Sequence, residues 1–139
     1  MSIKEKQEEI IEEFSMFDDW DSKYEYIIEL GKQHPPLPDV DKTQENKVSG
    51  CQSQVWIKTE YQNGKMIFRA DSDAIITKGL IALLIRVFNN QDPREIYNSD
   101  IKFLDEIGLI KHLSPNRSNG LLSMVKRIKA EAQKYLNNN

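Results

Sequence analysis

The sequence predicts an α+β fold in which a small antiparallel sheet packs against several helices. Apolar residues recur at helical spacing before residue 34 and again after residue 70, whereas residues 55–71 alternate with a period of two. The elements are therefore grouped as helices, strands and helices, unlike the strand–helix alternation of parallel sheets. The 139 residues are sufficient for one hydrophobic core, so we expect a single domain over residues 1–139.

Two amphipathic helices are predicted before the first strand. Isoleucines and a phenylalanine recur at helical spacing over residues 3–14. The sequence SKYE fits a capping box, with Ser22 as the N-cap and Glu25 three residues later, and predicts the start of the second helix. The HPPLP segment at 34–38 ends that helix because proline cannot continue it.

A β-hairpin is predicted from residue 55 to residue 71. Asn63 and Gly64 favour a type I′ turn, since both central positions of that turn need a positive φ. On the more apolar face, the turn opposes Tyr61 to Met66, Thr59 to Phe68 and Ile57 to Ala70. The other face carries Lys58, Glu60 and Arg69 together with Trp56 and Ile67. We therefore expect one face of the sheet to pack on helices.

A strongly apolar segment at 71–90 predicts the central buried helix of the fold. Asp71, Ser72 and Asp73 precede its apolar stretch, and we expect them to cap the helix N-terminus. Two neighbouring carboxylates also suggest a metal site, but magnesium usually needs substrate phosphates and calcium needs more oxygen ligands. Capping is therefore favoured over a metal site. Because these acids are expected to be exposed, a role in partner contact stays open.

Short helices and one long final helix are predicted beyond residue 90. Pro93 suits the first position of a short helix, and apolar spacing over 101–109 predicts another brief one. Ser114 and Pro115 suit the N-cap and first position of a final helix that extends to residue 136. Its inward stripe consists of Leu121, Val125, Ile128, Ala132 and Tyr135.

Composition and charge exclude several classes of partner. A net charge of −3 gives no reason to expect nucleic acid or an anionic membrane, and the longest apolar run, at 79–85, is too short for a membrane span. One cysteine cannot form an internal disulfide, and the glutamate-rich N-terminus resembles neither a secretory signal nor a transit peptide. We therefore expect a cytoplasmic protein.

The single cysteine, Cys51, lies in a polar loop just before the first strand. Gly50 allows a tight backbone, and the neighbours Gln52 and Ser53 are polar. Loops concentrate functional groups, but free cysteines are also often buried as small hydrophobic residues. The residues by themselves leave open whether Cys51 is a nucleophile or a packing residue.

A cysteine hydrolase and a metal centre find little support in the sequence. A hydrolase needs a base, and the two histidines, His34 and His112, lie in neighbourhoods without a protease signature. Structural zinc and iron–sulfur sites usually collect four ligands, whereas this chain offers one cysteine and two distant histidines. We expect no resident metal.

Arg117 falls in the first turn of the predicted final helix, where a cation opposes the macrodipole. This placement indicates either a functional role or a surface salt bridge. If the loop of Cys51 approaches this helix end, Arg117 and the dipole favour the thiolate, whereas burial opposes it. We expect the free protein to keep Cys51 sheltered.

Four motifs, in this order and spacing, resemble those of the SufE family of sulfur acceptor proteins. They are WDSKYEYIIELG at 20–31, GCQSQVW at 50–56, ADSDAIITKGLIALL at 70–84 and LSPNRSNGL at 113–121. The resemblance extends over about residues 14–130, which is nearly the whole chain.

The resemblance implies a fold similar to that of IscU-type scaffolds and a role in iron–sulfur cluster assembly. Such proteins take sulfane sulfur from the persulfide of a pyridoxal-phosphate cysteine desulfurase, of the SufS or CsdA type, and stimulate that enzyme. They then pass the sulfur to an assembly scaffold such as SufBCD. Cys51 matches the acceptor cysteine, and no cofactor is expected on this chain because the pyridoxal phosphate belongs to the partner. The resemblance thus implies a sulfur-transfer partner rather than a stand-alone enzyme.

Other residues of these motifs are expected to support Cys51 or to contact the partner: Gly50, Gln52, Ser53, Asp71, Ser72, Asp73 and Arg117. Because they lie at the ends of elements, we expect them to form one partner-facing patch on a monomer or homodimer. Two alternatives stay open. One is a non-catalytic adaptor that activates a desulfurase while Cys51 is incidental, and the other is a cysteine hydrolase.

Overall fold

The predicted α+β class is confirmed by a computed structural model that describes residues 1–138. Its helices are α1 (Ile3–Ser15), α2 (Trp20–Gln33), α3 (Ile75–Phe88), α4 (Pro93–Asn98), α5 (Lys102–Glu106), α6 (Leu109–His112) and α7 (Pro115–Gln133). Over this range the sheet is an antiparallel pair of strands, β1 (Val55–Gln62) and β2 (Lys65–Ser72). Short 3-10 turns lie at Asp39–Asp41 and Leu136–Asn138. The last residue of the predicted domain, Asn139, lies outside the described residues.

The hairpin and its register are confirmed. Asn63 and Gly64 have φ values of 53° and 79°, the positive angles that the tight turn requires. The strands pair Tyr61 with Met66, Thr59 with Phe68 and Ile57 with Ala70. The buried members of this face are Ile57, Met66, Phe68 and Ala70. The apolar face therefore packs into the core, as the alternating pattern predicts.

Helix α3 is the centre of the core, and α1, α2, α7 and β2 all pack against it. Helices α2 and α3 approach so closely that a Cβ added to Gly79 would lie 2.1 Å from the Ile27 carbonyl oxygen. A Cβ added to Gly31 would lie 2.7 Å from the backbone nitrogen of Gly79. Although α3 is strongly apolar, no helix within residues 1–138 has the length and apolar character needed to cross a membrane.

Arg86 ties α1 and α2 to the central helix. Its guanidinium forms ion pairs with Glu9 and Glu13 of α1, and Glu13 also accepts a hydrogen bond from the Tyr26 hydroxyl of α2. The hydrogen bond from Arg86 lowers the pKa of Glu13, so the carboxylate stays charged at neutral pH. The N-terminal helix is therefore fixed to the core by charge as well as by apolar packing.

The predicted N-terminus of the second helix is wrong. Helix α2 begins at Trp20, and its N-cap is Asp19, whose carboxylate accepts a hydrogen bond from the Ser22 N–H at 2.8 Å. Ser22 therefore lies inside the helix, and the predicted capping box with Glu25 is absent. Aspartate and serine are almost equally good N-caps, so the sequence did not distinguish a helix start after Asp19 from one after Ser22.

The predicted capping by Asp71, Ser72 and Asp73 is also wrong. Strand β2 continues through Ser72, and α3 begins at Ile75 with Ala74 in the N-cap position and no side-chain cap. The pairing of the hairpin extends to this point, because Val55 at the start of β1 is the register partner of Ser72. Strand pairing, rather than helix capping, therefore decides the conformation of Asp71 and Ser72.

The later helices follow the prediction with two differences. The helical segment at 101–109 is interrupted at Gly108 and forms the two short helices α5 and α6. Tyr135, predicted on the inward stripe of the final helix, lies beyond the end of α7 and stacks on Tyr61, with ring centroids 4.5 Å apart. The other four residues of that stripe are buried as predicted.

Candidate functional site

Cys51 lies in a loop at residues 49–54, called the Cys51 loop below, which connects a short arm at residues 45–48 to β1. The Val48 N–H donates to the Val55 carbonyl at 2.8 Å, so the arm pairs with the beginning of β1. This pairing fixes where the loop leaves the sheet and where it returns. The predicted junction of loop and strand is confirmed.

Gly50 allows the Cys51 loop to lie directly on α7. Its φ of 86° falls in the region that favours glycine. A Cβ at this position would lie only 2.5 Å from the Ser123 hydroxyl oxygen, and that hydroxyl donates to the Gly50 carbonyl at 3.5 Å. The residue before Cys51 is therefore constrained both by its backbone conformation and by its packing on α7.

The Cys51 thiol is half-buried and faces the backbone of α7. Its S–H donates to the Gly120 carbonyl, with 3.6 Å between sulfur and oxygen. Burial raises the pKa of the Cys51 thiol, and a hydrogen bond from the S–H to a carbonyl acts in the same direction because it favours the protonated form. The thiol is sheltered as expected, and burial is the cause of its raised pKa.

Beside Cys51 lies a pocket of about 370 Å³ between the Cys51 loop, α3 and α7. The residues that line it are Cys51, Gln52, Ser53, Thr77, Leu80, Ser114, Asn116, Arg117, Gly120 and Met124. The structure thus brings Cys51 and its two polar neighbours together with Arg117, from the beginning of the last helix. The pocket has room for a small group attached to the sulfur.

Arg117 lies in the first turn of α7, after the Ser114 N-cap, as predicted. Its guanidinium is 5.8 Å from the centroid of the Tyr24 ring. The Tyr24 ring in turn meets the edge of Trp20, whose indole stacks on His112. Within residues 1–138, Arg117 forms no salt bridge. An aromatic contact with α2, rather than an ion pair, therefore holds Arg117 at the pocket.

Ser72 and Asp73 lie beside the C-terminal end of the Cys51 loop. The Ser72 hydroxyl donates to the Gln54 carbonyl at 2.8 Å. The Asp73 carboxylate accepts from the Gln54 N–H at 3.0 Å, and the Asp73 N–H donates to the Gln54 carbonyl at 3.2 Å. Asp73 itself is exposed. These two motif residues therefore fix the C-terminal end of the Cys51 loop.

Asp71 is the exception, because it is only 4% exposed and was expected to lie at the surface. Its carboxylate accepts hydrogen bonds from the Leu37 N–H at 3.0 Å and the Ser72 N–H at 2.8 Å. Lys42 and Lys78 lie 3.5 and 3.3 Å from its two oxygens. Asp71 therefore anchors the proline-containing loop to β2 and α3, and its burial is at odds with the expectation that its side chain faces a partner.

Replacement of Asp71 by asparagine is expected to lower the free energy of unfolding at neutral pH by about 2 kcal/mol, a typical contribution of hydrogen bonds to a charged group. Asparagine has one acceptor oxygen for two backbone donors. Burial by itself raises the pKa of Asp71, but the hydrogen bonds and Lys78 together lower it. The stabilisation that the Asp71 carboxylate contributes is therefore complete above the pKa of aspartate in the unfolded chain, about 3.9. It is lost as the pH falls through the lower pKa that Asp71 has in the folded protein.

Urea unfolding of the wild type and of Asp71→Asn, from neutral to acid pH, would measure this effect. Asp73→Asn is a matched control, because the exposed asparagine keeps a carbonyl that can accept the Gln54 N–H. A difference between wild type and Asp71→Asn that stays constant on acidification would contradict the role of the charge.

Neither histidine lines the pocket beside Cys51. Nε2 of His34 lies 3.1 Å from the Ala70 carbonyl oxygen, and burial lowers the pKa of His34. His112 stacks on Trp20. In the described part of the chain, no group of three or more histidine, cysteine or acidic residues is arranged to hold a metal ion. The geometry therefore does not provide the thiol–imidazole pair that a cysteine hydrolase uses.

Several residues of the site were not identified from the sequence. Gly120 and Ser123 contact the Cys51 loop from α7, and Thr77 lines the pocket from α3. Thr77 is a polar residue within the strongly apolar segment that forms α3, which was an available signal in the sequence. Tyr24, which contacts Arg117, lies in one of the recognised motifs, but its spacing gave no indication of this contact.

Comparison with known proteins gives the family. The family model SufE, described as "Fe-S metabolism associated domain", matches residues 8–132. An uncharacterized SufE-like protein of Rhizobium meliloti (strain 1021) is 44% identical over 91% of this chain and 94% of its own length. An uncharacterized SufE-like protein of Rhizobium etli is 45% identical over 91% of this chain and 88% of its own length.

The fold has a counterpart among solved structures. The solution structure of a hypothetical protein from Thermus thermophilus matches with a TM-score of 0.78 and covers 95% of this chain and 96% of that one. At 21% identity, this similarity concerns the fold alone. The family match and the two relatives, by contrast, extend along nearly the whole sequence. The chain therefore belongs to the SufE family.

Proposed function

We propose that this protein is a sulfur acceptor and carrier, with Cys51 as the residue that holds the sulfur. In this proposal it takes sulfane sulfur from the persulfide of a cysteine desulfurase of the SufS or CsdA type, and it stimulates that enzyme. It then relays the sulfur to an iron–sulfur assembly scaffold such as SufBCD in the cytoplasm. Membership of a family associated with Fe–S metabolism supports the general setting.

The observation that carries the proposal is the position of the Cys51 sulfur at a pocket with room for one more atom. The pocket of about 370 Å³ lies beside a thiol that is half-buried, between a loop and two helices. An added sulfur would extend into a space lined partly by polar side chains, including Ser114 and Arg117. A persulfide held there would be less accessible to other thiols than one on an exposed loop.

The chemistry requires a thiolate and no group on this chain other than Cys51. The Cys51 thiolate attacks the outer sulfur of the partner's persulfide, a new S–S bond forms, and the old S–S bond breaks. The partner's cysteine leaves as a thiolate, which takes up the proton that Cys51 lost. No electrons are gained or lost overall, because the sulfane sulfur moves with its oxidation state unchanged. The pyridoxal phosphate that generates the persulfide belongs to the desulfurase.

A non-catalytic adaptor is the second candidate, and the environment of the thiol favours it. Because burial raises the pKa of Cys51, only a small fraction of the free protein carries the reactive thiolate at neutral pH. An adaptor would need no thiolate. The carrier proposal therefore requires contact with the desulfurase to move Cys51 away from the Gly120 carbonyl, which is 3.6 Å from the sulfur in the free chain.

Mass spectrometry would test the carrier proposal. The protein is incubated with a SufS-type desulfurase and cysteine, and intact masses are recorded without reductant. We expect one added sulfur atom per chain, located on the peptide that contains Cys51 and removed by dithiothreitol. Addition of a SufBCD scaffold should discharge this sulfur. An unchanged mass, under conditions in which desulfurase turnover rises, would favour the adaptor instead.

A further inference from the structure

One face of α7 contacts the Cys51 loop and its arm along about two helical turns. Gly120, Ser123 and Arg127 lie three and four residues apart in succession, so they share this face. Gly120 accepts the Cys51 S–H, and Ser123 donates to the Gly50 carbonyl. Arg127 contacts the arm, which precedes the loop. The sulfur position therefore depends on a row of α7 contacts and not on the loop alone.

Arg127 forms the strongest contacts of this row. Its Nη1 donates to the Lys47 carbonyl at 3.0 Å, and its Nη2 donates to the Glu45 carbonyl at 2.8 Å. A planar guanidinium can bridge two acceptors in this way because its donors are held in a fixed fork. Both carbonyls belong to the arm that pairs with β1. Arg127 thus joins the N-terminal side of the Cys51 loop to α7.

Glu131 orients the guanidinium. Its Oε1 accepts from Nε of Arg127 at 2.9 Å, one turn further along the helix, and its Oε2 lies 3.1 Å from Nζ of Lys134. Glu131 is only 9% exposed, so its pairing with Arg127 is partly shielded from water. The fork of Arg127 is therefore directed toward the arm by a fixed carboxylate.

We propose that Arg127 is a positioning residue that holds the arm of the Cys51 loop on α7 and thereby keeps the thiol against the Gly120 carbonyl. This inference deepens the proposed carrier function, because it names the contact that sets how readily Cys51 leaves its shelter. Without the bridge, the arm keeps its hydrogen bonds to β1, such as that between Val48 and Val55. The loop then separates more often from α7, and the sulfur spends more time in water.

The test is the alkylation of Cys51 by iodoacetamide in the free protein, measured as a rate against pH. Arg127→Lys keeps the positive charge but lacks the planar fork that contacts both carbonyls of the arm while Nε pairs with Glu131. We expect about fivefold faster alkylation at neutral pH, the effect of losing the net contribution of one ordinary hydrogen bond. The apparent pKa of Cys51 should also fall, since burial is what raises it. Lys126→Arg is the matched control, because Lys126 is exposed on the same helix.

Circular dichroism and urea unfolding establish that each variant is folded and how stable it is. If Arg127→Lys does not fold, Glu131→Gln replaces it, with a smaller acceleration expected because the oriented ion pair is lost while the guanidinium remains. A rate within about twofold of wild type and an unchanged pH profile would overturn the inference, even if stability falls, because Arg127 would then act on the fold alone. An equal acceleration in Lys126→Arg would also overturn it.

This experiment contains no desulfurase, so its outcome does not depend on whether Cys51 accepts sulfur. A failure of sulfur acceptance would leave the alkylation result intact, and an unchanged alkylation rate would leave sulfur acceptance to be judged on its own.

Discussion

Cys51→Ser is expected to abolish sulfur acceptance and, with it, the stimulation of desulfurase turnover. Serine is nearly the same size as cysteine, and its hydroxyl can donate to the Gly120 carbonyl as the thiol does. The fold should therefore be retained, with a change in the free energy of unfolding of no more than about 1 kcal/mol. Serine does not form an alkoxide at neutral pH and cannot hold a persulfide. Turnover should fall to the level of the desulfurase alone.

The measurement is sulfide or alanine release by the desulfurase, with and without the variant, in the absence of other thiols. Ser49→Ala is a suitable control, because Ser49 is exposed in the same loop and lies outside the pocket residues. It should stimulate as the wild type does. Full stimulation by Cys51→Ser would refute the carrier mechanism and support the adaptor, whose binding surface does not need the sulfur.

Gly79→Ala is expected to have the largest effect on stability, with a loss of about 3 kcal/mol or more. The added methyl group would lie 2.1 Å from the Ile27 carbonyl oxygen and 2.7 Å from its Cγ2 atom. Neither helix can yield easily, since α2 and α3 form the most extensive helix contact in the core. The helices would have to separate, which removes packing over the whole crossing.

Gly120→Ala provides the matched comparison, because it is also a glycine-to-alanine change inside a helix. There the nearest heavy atom to the added Cβ is the Cys51 sulfur at 3.8 Å, an ordinary contact distance. Alanine is favoured over glycine in a helix, so this variant should gain up to about 1 kcal/mol. Urea unfolding followed by circular dichroism gives both values. A loss below about 1 kcal/mol in Gly79→Ala would show that the crossing can expand at little cost.

Only part of the site could be predicted from the sequence, because some of its contacts join neighbouring residues and others join residues that are far apart in the chain. The Cys51 loop and the turn at Asn63 and Gly64 are specified by neighbouring residues, and both lie where the sequence predicts them. The contacts that determine the state of the thiol are distant in sequence. Cys51 and Gly120 are 69 residues apart, and Arg127 is 80 residues from Lys47. No periodic pattern encodes such pairs.

Asp71 and Asp73 are only two positions apart, yet the sequence could not predict that their environments differ. As sequence they are equivalent acids before an apolar helix, and capping was predicted for both. The hairpin extends to Ser72, and the loop that contains Leu37 covers Asp71 while Asp73 remains exposed. One acid therefore became a buried anchor with a lowered pKa, and the other a support for the Cys51 loop.

The sequence by itself determined the α+β class, the hairpin register, the central apolar helix and the family motifs around Cys51. These depend on periodicity and on residue types within a few positions of one another. The tertiary structure decided that the Cys51 thiol faces the Gly120 carbonyl, that Arg117 lies on Tyr24, and which acid is buried. The physical reason is that burial and charge at one atom depend on which distant elements pack against it, and here α7 and the proline-containing loop supply those neighbours.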